Sequence, residues 1–539
     1  MEAHYATVWE AVADAVPHED AIVQGSVRRS WGDFEDRAAR LATAFVEAGV
    51  GKDGKVALYL YNSPEYLEAY FAAFKLRGIP VNVNYRYLDD ELHYLLDNSD
   101  SEVVVFHSSL ADRVSRVRDR LPHVKRWIEV ADDGSHAGGA ERYEEVVAGC
   151  APAPRIERSP HDIGMTYTGG TTGMPKGVMS EIGGGVTVQL ATLPPLLGLP
   201  AKTSEDVPAL AKELVEVGKR PSTIVACPLM HGTGIGIGAA PTLTCAGTVY
   251  LLENRKFDPH EVWDLAEREG VFGVVVVGDP FARPLVRALD ERPGRDLSRM
   301  VLVSSAGAMF SREVKQRLVE HMPQLLIIDF MAATEGSMGQ SVFTRNTTAD
   351  TARFRLNPSV KVLTDDDREV APGSGEVGMV AVPDTGTLGY YKDAEKTART
   401  FREIDGVRWT FPGDFATVEE DGSITLLGRG SQVINTGGEK VFAEEVEEVL
   451  KTHPSIDDCL VVGVPDERFG HRVVAVVSSV GGGAGGVGEV DETDVIAHAK
   501  GKLAAFKAPK EVVVVATVPR APNGKADYKA ARELAAGLR

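Results

Sequence analysis

The residues best suited to chemistry form a glycine- and threonine-rich loop within "MTYTGGTTGMPKGVM", residues 165–179. The loop follows an apolar, strand-like run and contains one cation, Lys176. Backbone N–H groups, hydroxyls and an ammonium all donate hydrogen bonds, and glycine lets the backbone approach a ligand closely. This set of donors favours a phosphate as the ligand.

The loop departs from the P-loop of nucleoside triphosphatases. That motif needs four residues between a glycine and Gly-Lys-Ser/Thr, whose hydroxyl holds magnesium. Here Lys176 is followed by Gly177 and Val178. The pattern "YTGGTTGMPKG" instead resembles the phosphate loop of the adenylate-forming superfamily, which contains acyl-CoA synthetases, luciferases and peptide-synthetase adenylation domains. An ordinary glycine-rich turn is the competing interpretation. The resemblance implies that ATP phosphates contact Thr168, Gly169, Gly170, Thr171, Thr172, Gly173 and Lys176.

Further stretches resemble motifs of this family in the expected order. "PLMHG" (228–232) resembles the motif whose aromatic residue or histidine gates the acyl pocket, here His231. A lone histidine beside glycine is otherwise more often structural. "SSAGAMF" (304–310) resembles the strand and turn under the adenine and along the acyl tunnel. Its small residues, Ala306, Gly307 and Ala308, leave room for a flat ring.

"DFMAATEG", which begins at Asp329, resembles the family's YGxTE motif. The resemblance implies that Thr334 contacts phosphates and that Glu335 binds Mg²⁺, which prefers oxygen ligands beside substrate phosphates. It also places Asp329 and Met331 in the nucleotide site. Met331 stands where an adenine-stacking tyrosine is common, and Ala332 replaces a glycine.

Two later stretches resemble the ribose and hinge motifs. "RWTFPGDFA" (408–416) resembles W-x-x-T-G-D, with proline in place of threonine, and implies that Asp414 accepts hydrogen bonds from both ribose hydroxyls. "LLGRGSQVINTGGEKVFAEEVE" (426–447) implies a further ribose contact from Arg429. Gln432 occupies the hinge position. The resemblance also implies that CoA or nucleotide contacts Gly437, Gly438 and Lys440.

"VPRAPNGKADY" (518–528) resembles the C-terminal motif that carries the catalytic lysine, Lys525. The resemblance implies that Mg²⁺ on Glu335, the hydroxyls of Thr171 and Thr172, and Lys525 screen the repulsion between a carboxylate and the α-phosphate of ATP. The product would be an acyl-adenylate. A thiol, that of CoA, would then attack it after the small domain rotates near Gln432.

The resemblance covers nearly the whole chain and is closest to bacterial fatty-acyl and steroid side-chain acyl-CoA synthetases. "HGTGIGIGAAPTL" (231–243) lines the expected tunnel with small, uncharged residues, and we see no cation for a second carboxylate. We therefore expect a medium-to-long or polycyclic apolar acid. One alternative is an adenylating enzyme with another acceptor, such as a carrier-protein ligase or a luciferase-like oxygenase. Another is a non-catalytic nucleotide-binding or scaffold protein, although Lys176, Glu335 and Lys525 are all present.

Strands and helices alternate, which predicts an α/β protein with largely parallel, buried sheets. "WGDFEDRAARLATAFVEAG" places Phe34, Ala38, Leu41 and Phe45 on one helical face, with Gly49 at its end. A second helix is predicted from Ser63 as N-cap to an exit at Gly78.

After about residue 430 the order of predicted strands and helices changes to that of a compact βα unit. We predict a large ATP- and acid-binding domain at 1–430 and a small mobile domain with the catalytic lysine at 431–539. "GGGAGGVG" (481–488) is predicted to be a surface loop.

The composition of this 539-residue chain limits the classes of partner that it can bind. Its net charge of −20 argues against nucleic acid, which favours basic surfaces. Its four dispersed cysteines and the lack of a signal-peptide pattern favour the cytoplasm. The uncharged stretch 233–252 is interpreted as a buried helix and strand, so we expect no membrane insertion. The oligomeric state stays open, with a homodimer as one expectation.

Overall fold

The computed structural model describes residues 1–133, 136–168, 174–346, 352–383, 386–436, 439–466, 469–480, 490–521 and 524–537, with the backbone alone at Ser431 and Lys440. The predicted loop 481–488 and the glycines at 169, 170, 173, 437 and 438 lie outside these residues, as do Thr171 and Thr172.

The helices and strands alternate along most of the chain. The α-helices are α1 (Tyr5–Ala15), α2 (Trp31–Glu47), α3 (Pro64–Lys75), α4 (Asp89–Asn98), α5 (Ala111–Arg118), α6 (Tyr143–Gly149), α7 (Ile182–Leu196), α8 (Val207–Glu216), α9 (Ala240–Thr244), α10 (Pro259–Glu269), α11 (Gly278–Glu291), α12 (Arg312–His321), α13 (Ala394–Thr400), α14 (Ala443–Lys451), α15 (Glu492–Lys502) and α16 (Tyr528–Ala535). Short 3₁₀ turns span Ser108–Leu110, Ser204–Asp206 and Gly430–Gln432, and a π-helix spans Thr233–Ala239.

The strands are β1 (Asp20–Gln24), β2 (Val27–Ser30), β3 (Lys55–Tyr59), β4 (Ile79–Asn82), β5 (Ser101–His107), β6 (Arg126–Val130), β7 (Glu141–Arg142), β8 (Ile163–Thr168), β9 (Lys176–Glu181), β10 (Ser222–Val225), β11 (Thr248–Leu251), β12 (Gly273–Val276), β13 (Leu302–Ala306), β14 (Leu326–Ala333), β15 (Gly336–Phe343), β16 (Arg353–Leu356), β17 (Lys361–Leu363), β18 (Gly378–Pro383), β19 (Thr387–Tyr390), β20 (Phe401–Ile404), β21 (Val407–Thr410), β22 (Asp414–Val418), β23 (Ile424–Arg429), β24 (Val433–Thr436), β25 (Glu439–Phe442), β26 (Ile456–Asp466), β27 (Gly470–Ser479) and β28 (Glu511–Val514).

Two sheets with parallel strands form the base of the large domain. One has the order β4-β3-β5-β6-β7 and is parallel throughout. The other begins β2-β1-β11-β10-β12-β13-β14, is parallel from β1 to β14, and continues as antiparallel strands to β20. Helices and strands from both sheets share one buried apolar cluster. This confirms the predicted α/β class.

The small domain is a separate sheet with its own core. Its strands follow the order β25-β24-β27-β26, with β28 parallel to β27. Helices α14, α15 and α16 contribute Val446, Leu450, Val495 and Ala531 to a buried cluster. A smaller C-terminal domain beside the large one agrees with the predicted fold class, while the boundary at residue 430 stays a prediction.

Local sequence signals explain two of the first helices. The predicted face of α2 is wholly buried, and Ser30 caps the helix in a capping box with Asp33. Ser63 caps α3 by accepting a hydrogen bond from the backbone N–H of Tyr66. At its exit the left-handed residue is Arg77, with φ 61°. Gly78 instead permits close backbone packing, since a Cβ there would lie 3.1 Å from the carbonyl oxygens of Ala73 and Gly54.

The uncharged stretch 233–252 forms the π-helix, then α9, then the buried strand β11, as the sequence predicts apart from the π geometry. No helix among the described residues is long and apolar enough to cross a membrane.

Two asparagines tie the parallel sheets to the loops that carry the candidate site. Asn82 donates to the carbonyl oxygens of Tyr167 (2.9 Å) and Met230 (2.7 Å) and accepts from the Tyr167 N–H (2.7 Å). Asn62 accepts from the Leu229 N–H (2.7 Å) and donates to the Cys227 carbonyl oxygen (3.0 Å). These amides fix the segment before His231, and Asn82 also fixes the strand before the glycine- and threonine-rich loop.

Replacing Asn82 should loosen both loops at once. Asn82→Ala removes three hydrogen bonds and leaves their backbone partners unpaired. We therefore expect a loss of about 2–3 kcal/mol in the free energy of unfolding. The first urea transition of the large domain, followed by tryptophan fluorescence, measures this loss. Asn84→Ala is the control, because Asn84 makes an exposed contact with the Arg86 N–H. Equal stability of the two variants would contradict the account.

Candidate functional site

The two ends of the glycine- and threonine-rich loop are held side by side by an antiparallel strand pair. Thr168, the last residue of β8, lies opposite Lys176, the first residue of β9. The Lys176 ammonium lies 2.7 Å from a carboxylate oxygen of Asp393, which also caps α13. This contact raises the pKa of Lys176, so the ammonium stays charged. The strand pair thus brings a hydroxyl and a cation to the mouth of the loop.

Glu335 lies at the turn between β14 and β15 and is oriented by the strand β19. The Tyr390 hydroxyl donates to a carboxylate oxygen of Glu335, and the Thr387 hydroxyl donates to its carbonyl oxygen (3.1 Å). The ammonium of Lys396 lies 3.9 Å from the centre of the Tyr390 ring. Burial lowers the pKa of Lys396, and the nearby Glu335 carboxylate opposes that shift. The arrangement gathers two carboxylates, those of Glu335 and Asp393, and two cations, Lys176 and Lys396.

Sequence reasoning missed Tyr390, Asp393 and Lys396. All three belong to the stretch "GYYKDAEKT", residues 389–397. Its aromatic residues beside β9, followed by an Asp that can cap a helix and two lysines, were a usable signal. The stretch has no glycine-rich or acidic pattern that suggests chemistry by itself.

Asp414 and Arg429 face each other on neighbouring strands, β22 and β23. The guanidinium Nε of Arg429 lies 3.4 Å from Oδ1 of Asp414. The other oxygen, Oδ2, is buried and has no hydrogen-bond partner among the described residues. Burial raises the pKa of Asp414, and Arg429 opposes the rise. An unpaired buried acceptor is costly, and a ligand with hydroxyl donors would satisfy it.

The turn that carries Lys525 is held by the small domain and rests on the large one. Arg520 pairs with both carboxylate oxygens of Asp458 (2.6 and 2.7 Å) and donates to the Gly524 carbonyl oxygen (2.9 Å). Gly524 adopts φ 76°, and a Cβ there would lie 3.1 Å from Pro280 of α11. A side chain at this position would therefore be strained and would push the turn off α11.

Lys525 reaches the turn at Gly307 in the large domain. A Cβ on Gly307 would lie 3.1 Å from Cε of Lys525 and 3.7 Å from the Thr233 hydroxyl. The surrounding protein, and then the positive charge of Arg429, lower the pKa of Lys525. Glu335 and Asp414 oppose that shift. The structure therefore brings together Lys525, Gly307, Glu335, Asp414 and Arg429, which are five of the predicted site residues.

His231 lies near Lys525 in this cluster. Its backbone N–H donates to the Pro228 carbonyl oxygen (3.2 Å), and its ring Nε2 is shielded from solvent without a hydrogen-bond partner among the described residues. Burial, assisted by the charge of Lys525, lowers the pKa of His231 to about 3. The ring is therefore neutral at physiological pH and suits the wall of an apolar pocket. Ala306 is buried and Ala308 half-buried in the same region.

Two predicted nucleotide-site residues have other surroundings. The Asp329 carboxylate lies 2.9 Å from the ammonium of Lys315, and both side chains are buried, so binding by Asp329 would require this ion pair to break. Met331 is buried in an apolar cluster with Met338, Phe354 and Val362.

Thr334 lies in the turn just before Glu335. Gln432, the predicted hinge residue, is buried and accepts a hydrogen bond from Arg532 (3.1 Å).

A second carboxyl group lies between the two domains beside Asp414. Glu444, in the first turn of α14, packs against Gly428 of β23; a Cβ on that glycine would lie 3.1 Å from Cδ of Glu444. Burial, and then the negative charges of Glu447 and Asp414, raise the pKa of Glu444 to about 7. Arg429 and Lys451 oppose this rise. Ionised Glu444 therefore disfavours the observed packing.

This carboxyl should make stability fall as pH rises. The stability of the folded protein does not suffer from Glu444 below the ordinary pKa of 4.5, where the carboxyl is protonated in both states. That stability falls as pH rises through the raised pKa of about 7. We expect Glu444→Gln to raise the unfolding temperature at pH 8 and to leave it nearly unchanged at pH 5. Thermal unfolding across this range measures the difference. The exposed Glu420→Gln is the control, and a gain for Glu444→Gln that does not depend on pH would refute the assignment.

Comparisons with known proteins cover nearly the whole chain. A family model described as AMP-binding enzyme matches residues 9–391, and one described as AMP-binding enzyme C-terminal domain matches residues 445–525. A 3-oxocholest-4-en-26-oate–CoA ligase of Rhodococcus rhodochrous is 38% identical over 552 residues, which cover 99% of this chain and 96% of the relative. The medium-chain acyl-CoA ligase Mig of Mycobacterium avium is 37% identical, with 98% and 97% covered.

Solved structures share the fold. The anthranilate CoA ligase AuaEII in complex with anthranoyl-AMP has a TM-score of 0.83 at 20% identity and covers 100% of both chains. A Mycobacterium tuberculosis fatty acyl CoA synthetase has a TM-score of 0.71 at 22% identity and covers 99% of both chains.

Proposed function

The chain belongs to the AMP-binding enzyme family, and we propose that it is an ATP-dependent, AMP-forming acyl-CoA ligase acting on apolar carboxylic acids. The observation that carries this proposal is the meeting of Lys525, from the small domain, with Gly307, Glu335, Asp414 and Arg429 of the large domain. A cation inserted among these groups suits a reaction between two anions.

In the first step a carboxylate oxygen attacks the α-phosphorus of ATP. The bond from that phosphorus to the bridging oxygen breaks, and pyrophosphate leaves with the electron pair. Lys525 holds the carboxylate and the α-phosphate together, while Thr168 and Lys176 orient the other phosphates with Gly169, Gly170, Thr171, Thr172 and Gly173. Asp414 and Arg429 orient the ribose. Neutral His231 and the wall at Ala306 and Ala308 exclude water.

In the second step the sulfur of CoA attacks the acyl carbon. The carbon–oxygen bond to AMP breaks, AMP leaves, and the thiol proton passes to solvent. We propose that the domains divide at residues 430 and 431 and that the small domain turns about Gln432 between the steps. Gly437, Gly438 and Lys440 would then line the path of the pantetheine.

The residues present fit Mg²⁺. Among the described residues, no cluster of three or more His, Cys, Asp or Glu side chains could enclose a metal. Mg²⁺ instead commonly takes one or two carboxylates with substrate phosphates and water. Glu335, oriented by Tyr390, would be that carboxylate. Bound Mg²⁺ would neutralise charge on the phosphates.

A cytoplasmic setting is part of the proposal, because Cys150, Cys227, Cys245 and Cys459 are all free thiols. The partners we propose are ATP, CoA and the acid, with no nucleic acid and with a homodimer as the assembly to test by light scattering.

Lys525 should be needed for the first step alone. We expect Lys525→Ala to lower the rate of acid-dependent pyrophosphate release by at least about a hundredfold. It should still form thioester from supplied acyl-adenylate and CoA, because that step does not bring two anions together at phosphorus. The matched control is Lys529→Ala, an exposed lysine on α16.

Unchanged pyrophosphate release in Lys525→Ala would contradict the assignment. Acyl-adenylate that accumulates in the wild-type protein despite CoA would favour the alternative acceptor, a carrier protein or the oxygen of a luciferase-like reaction. Release of AMP that depends on CoA favours the ligase.

The acid should be apolar and either extended or polycyclic. The open, uncharged segment after His231 supports this class, as do relatives named for 3-oxocholest-4-en-26-oate and for medium- and long-chain fatty acids. Pyrophosphate release across a panel from acetate to dodecanoate and a steroid side-chain acid measures the preference. We expect kcat/KM for decanoate to exceed that for acetate by more than about a hundredfold, since each buried CH₂ adds about 0.8 kcal/mol. The reverse order would exclude this acid class.

A further inference from the structure

Lys396 lies in the first turn of α13, and its side chain is half-buried. Its ammonium lies over the Tyr390 ring, 3.9 Å from the ring centre. Within the described ranges of the chain, this ammonium forms no ion pair and donates no hydrogen bond. A lysine ammonium has three N–H donors. All three are therefore available to a ligand.

Two residues of the candidate site hold Lys396 in this position. One carboxylate oxygen of Asp393 accepts a hydrogen bond from the backbone N–H of Lys396 (2.9 Å), and the other lies 2.7 Å from the ammonium of Lys176. The Tyr390 ring under the Lys396 ammonium carries the hydroxyl that donates to Glu335. The groups that position Lys176 and Glu335 therefore also position Lys396.

Packing on a tyrosine does not by itself require an unpaired ammonium. Lys392, in the same stretch, lies 5.4 Å from the centre of the Tyr391 ring and pairs with Asp100 at 2.7 Å. Lys396 has no such carboxylate partner among the described residues. Burial lowers the pKa of Lys396, and the positive charge of Lys176 lowers it further. An anion bound between these two lysines would remove their repulsion and supply the missing acceptor.

The position of Lys396 indicates which anion this would be. The Glu335 carboxylate acts electrostatically on both Lys396 and Lys525, whereas Lys176 acts on the first and Asp414 on the second. The two ammonium groups therefore approach Glu335 from different directions. In the proposed reaction Lys525 binds the α-phosphate, and Lys176 lies at the mouth of the glycine- and threonine-rich loop. The phosphates on the Lys396 side of Glu335 are then the β- and γ-phosphates.

We infer that Lys396 is a further phosphate-binding residue, whose ammonium contacts the β- and γ-phosphates of ATP and then the departing pyrophosphate. This inference rests on the proposed function, in which ATP is cleaved between the α- and β-phosphates. When the bond from the α-phosphorus to the bridging oxygen breaks, its electron pair stays with pyrophosphate, and negative charge grows beside Lys396. The ammonium keeps its protons and stabilises that charge through hydrogen bonds.

The first test compares the binding of ATP with that of AMP, which lacks the β- and γ-phosphates. We expect Lys396→Met to weaken ATP binding by at least about tenfold, the usual order for a hydrogen bond between charged groups, and to leave AMP binding unchanged. Titration calorimetry with Mg²⁺ present measures both dissociation constants. Lys396→Arg should retain most of the ATP affinity, because a guanidinium also stacks on an aromatic ring and binds phosphate. The matched control is Lys392→Met, which should bind both nucleotides as the wild type does.

The second test supplies acyl-adenylate and offers it one of two acceptors. Pyrophosphate returns the adenylate to ATP and acid, whereas CoA converts it to thioester and AMP. Lys396→Met should raise KM for pyrophosphate by at least about tenfold. It should leave kcat/KM for CoA unchanged, because only the first of these reactions uses the pyrophosphate site.

ATP affinity in Lys396→Met that equals that of the wild type would overturn the inference. Equal losses for ATP and AMP would also overturn it, because that pattern indicates a distorted nucleotide pocket. Thermal unfolding checks the fold of each variant. If Lys396→Met is destabilised, Lys396→Gln provides an uncharged polar variant with the same expected results. The two binding measurements require no acid, so a wild-type protein that binds ATP through Lys396 but forms thioester from no acid would defeat the proposed function and not this inference.

Discussion

The site depends on one ammonium that the small domain inserts into a cleft of the large domain. Lys525 lies near two carboxylates, Glu335 and Asp414, and one guanidinium, Arg429, in surroundings that lower its pKa. Opposite unit charges 4 Å apart attract by about 1 kcal/mol in bulk water and by about 4 kcal/mol at the effective dielectric constant of 20 typical near protein groups. Two anions in this cleft would repel by similar amounts. Because the Lys525 side chain remains exposed, water screens part of this attraction. The cation can offset the repulsion between the two anions only while the small domain is docked.

The rest of the molecule can be understood as support for that contact. Bidentate pairing of Arg520 with Asp458 fixes the turn before Lys525, and Gly524 lets the turn rest on α11. Asn62 and Asn82 connect the parallel sheet that contains β3 and β4 to the loops around His231 and Thr168. The interface between the domains is only moderately stable, because ionised Glu444 repels Asp414 across it. If the small domain turns between the two steps, as we propose, an interface that is only moderately stable would favour that motion.

Much of this arrangement could be predicted from the sequence, where local patterns determine local structure. The apolar face of α2 and the Ser63 cap follow from spacing and side-chain chemistry alone. The motif residues Asp414, Arg429, Gly307 and Lys525 were identified by resemblance, and the fold brings them together. The exit of α3 was less predictable, because Gly78 serves close packing while Arg77 takes the left-handed conformation. Tyr390 and Lys396 escaped notice because their importance arises only when β19 and α13 meet Glu335 in space. The surroundings of Asp329 and Met331 depend on Lys315 and on an apolar cluster, which no spacing rule reveals.

The most direct test of the central claim follows the oxygen atoms of the acid. If a carboxylate attacks the α-phosphorus beside Lys525, then an acid labelled with ¹⁸O in both carboxylate oxygens must transfer one of them to AMP in each turnover. Mass spectrometry of the AMP should show one ¹⁸O per molecule, with none in pyrophosphate. Unlabelled AMP, or label in pyrophosphate or inorganic phosphate, would show that the two anions do not meet at this phosphorus and would contradict the account.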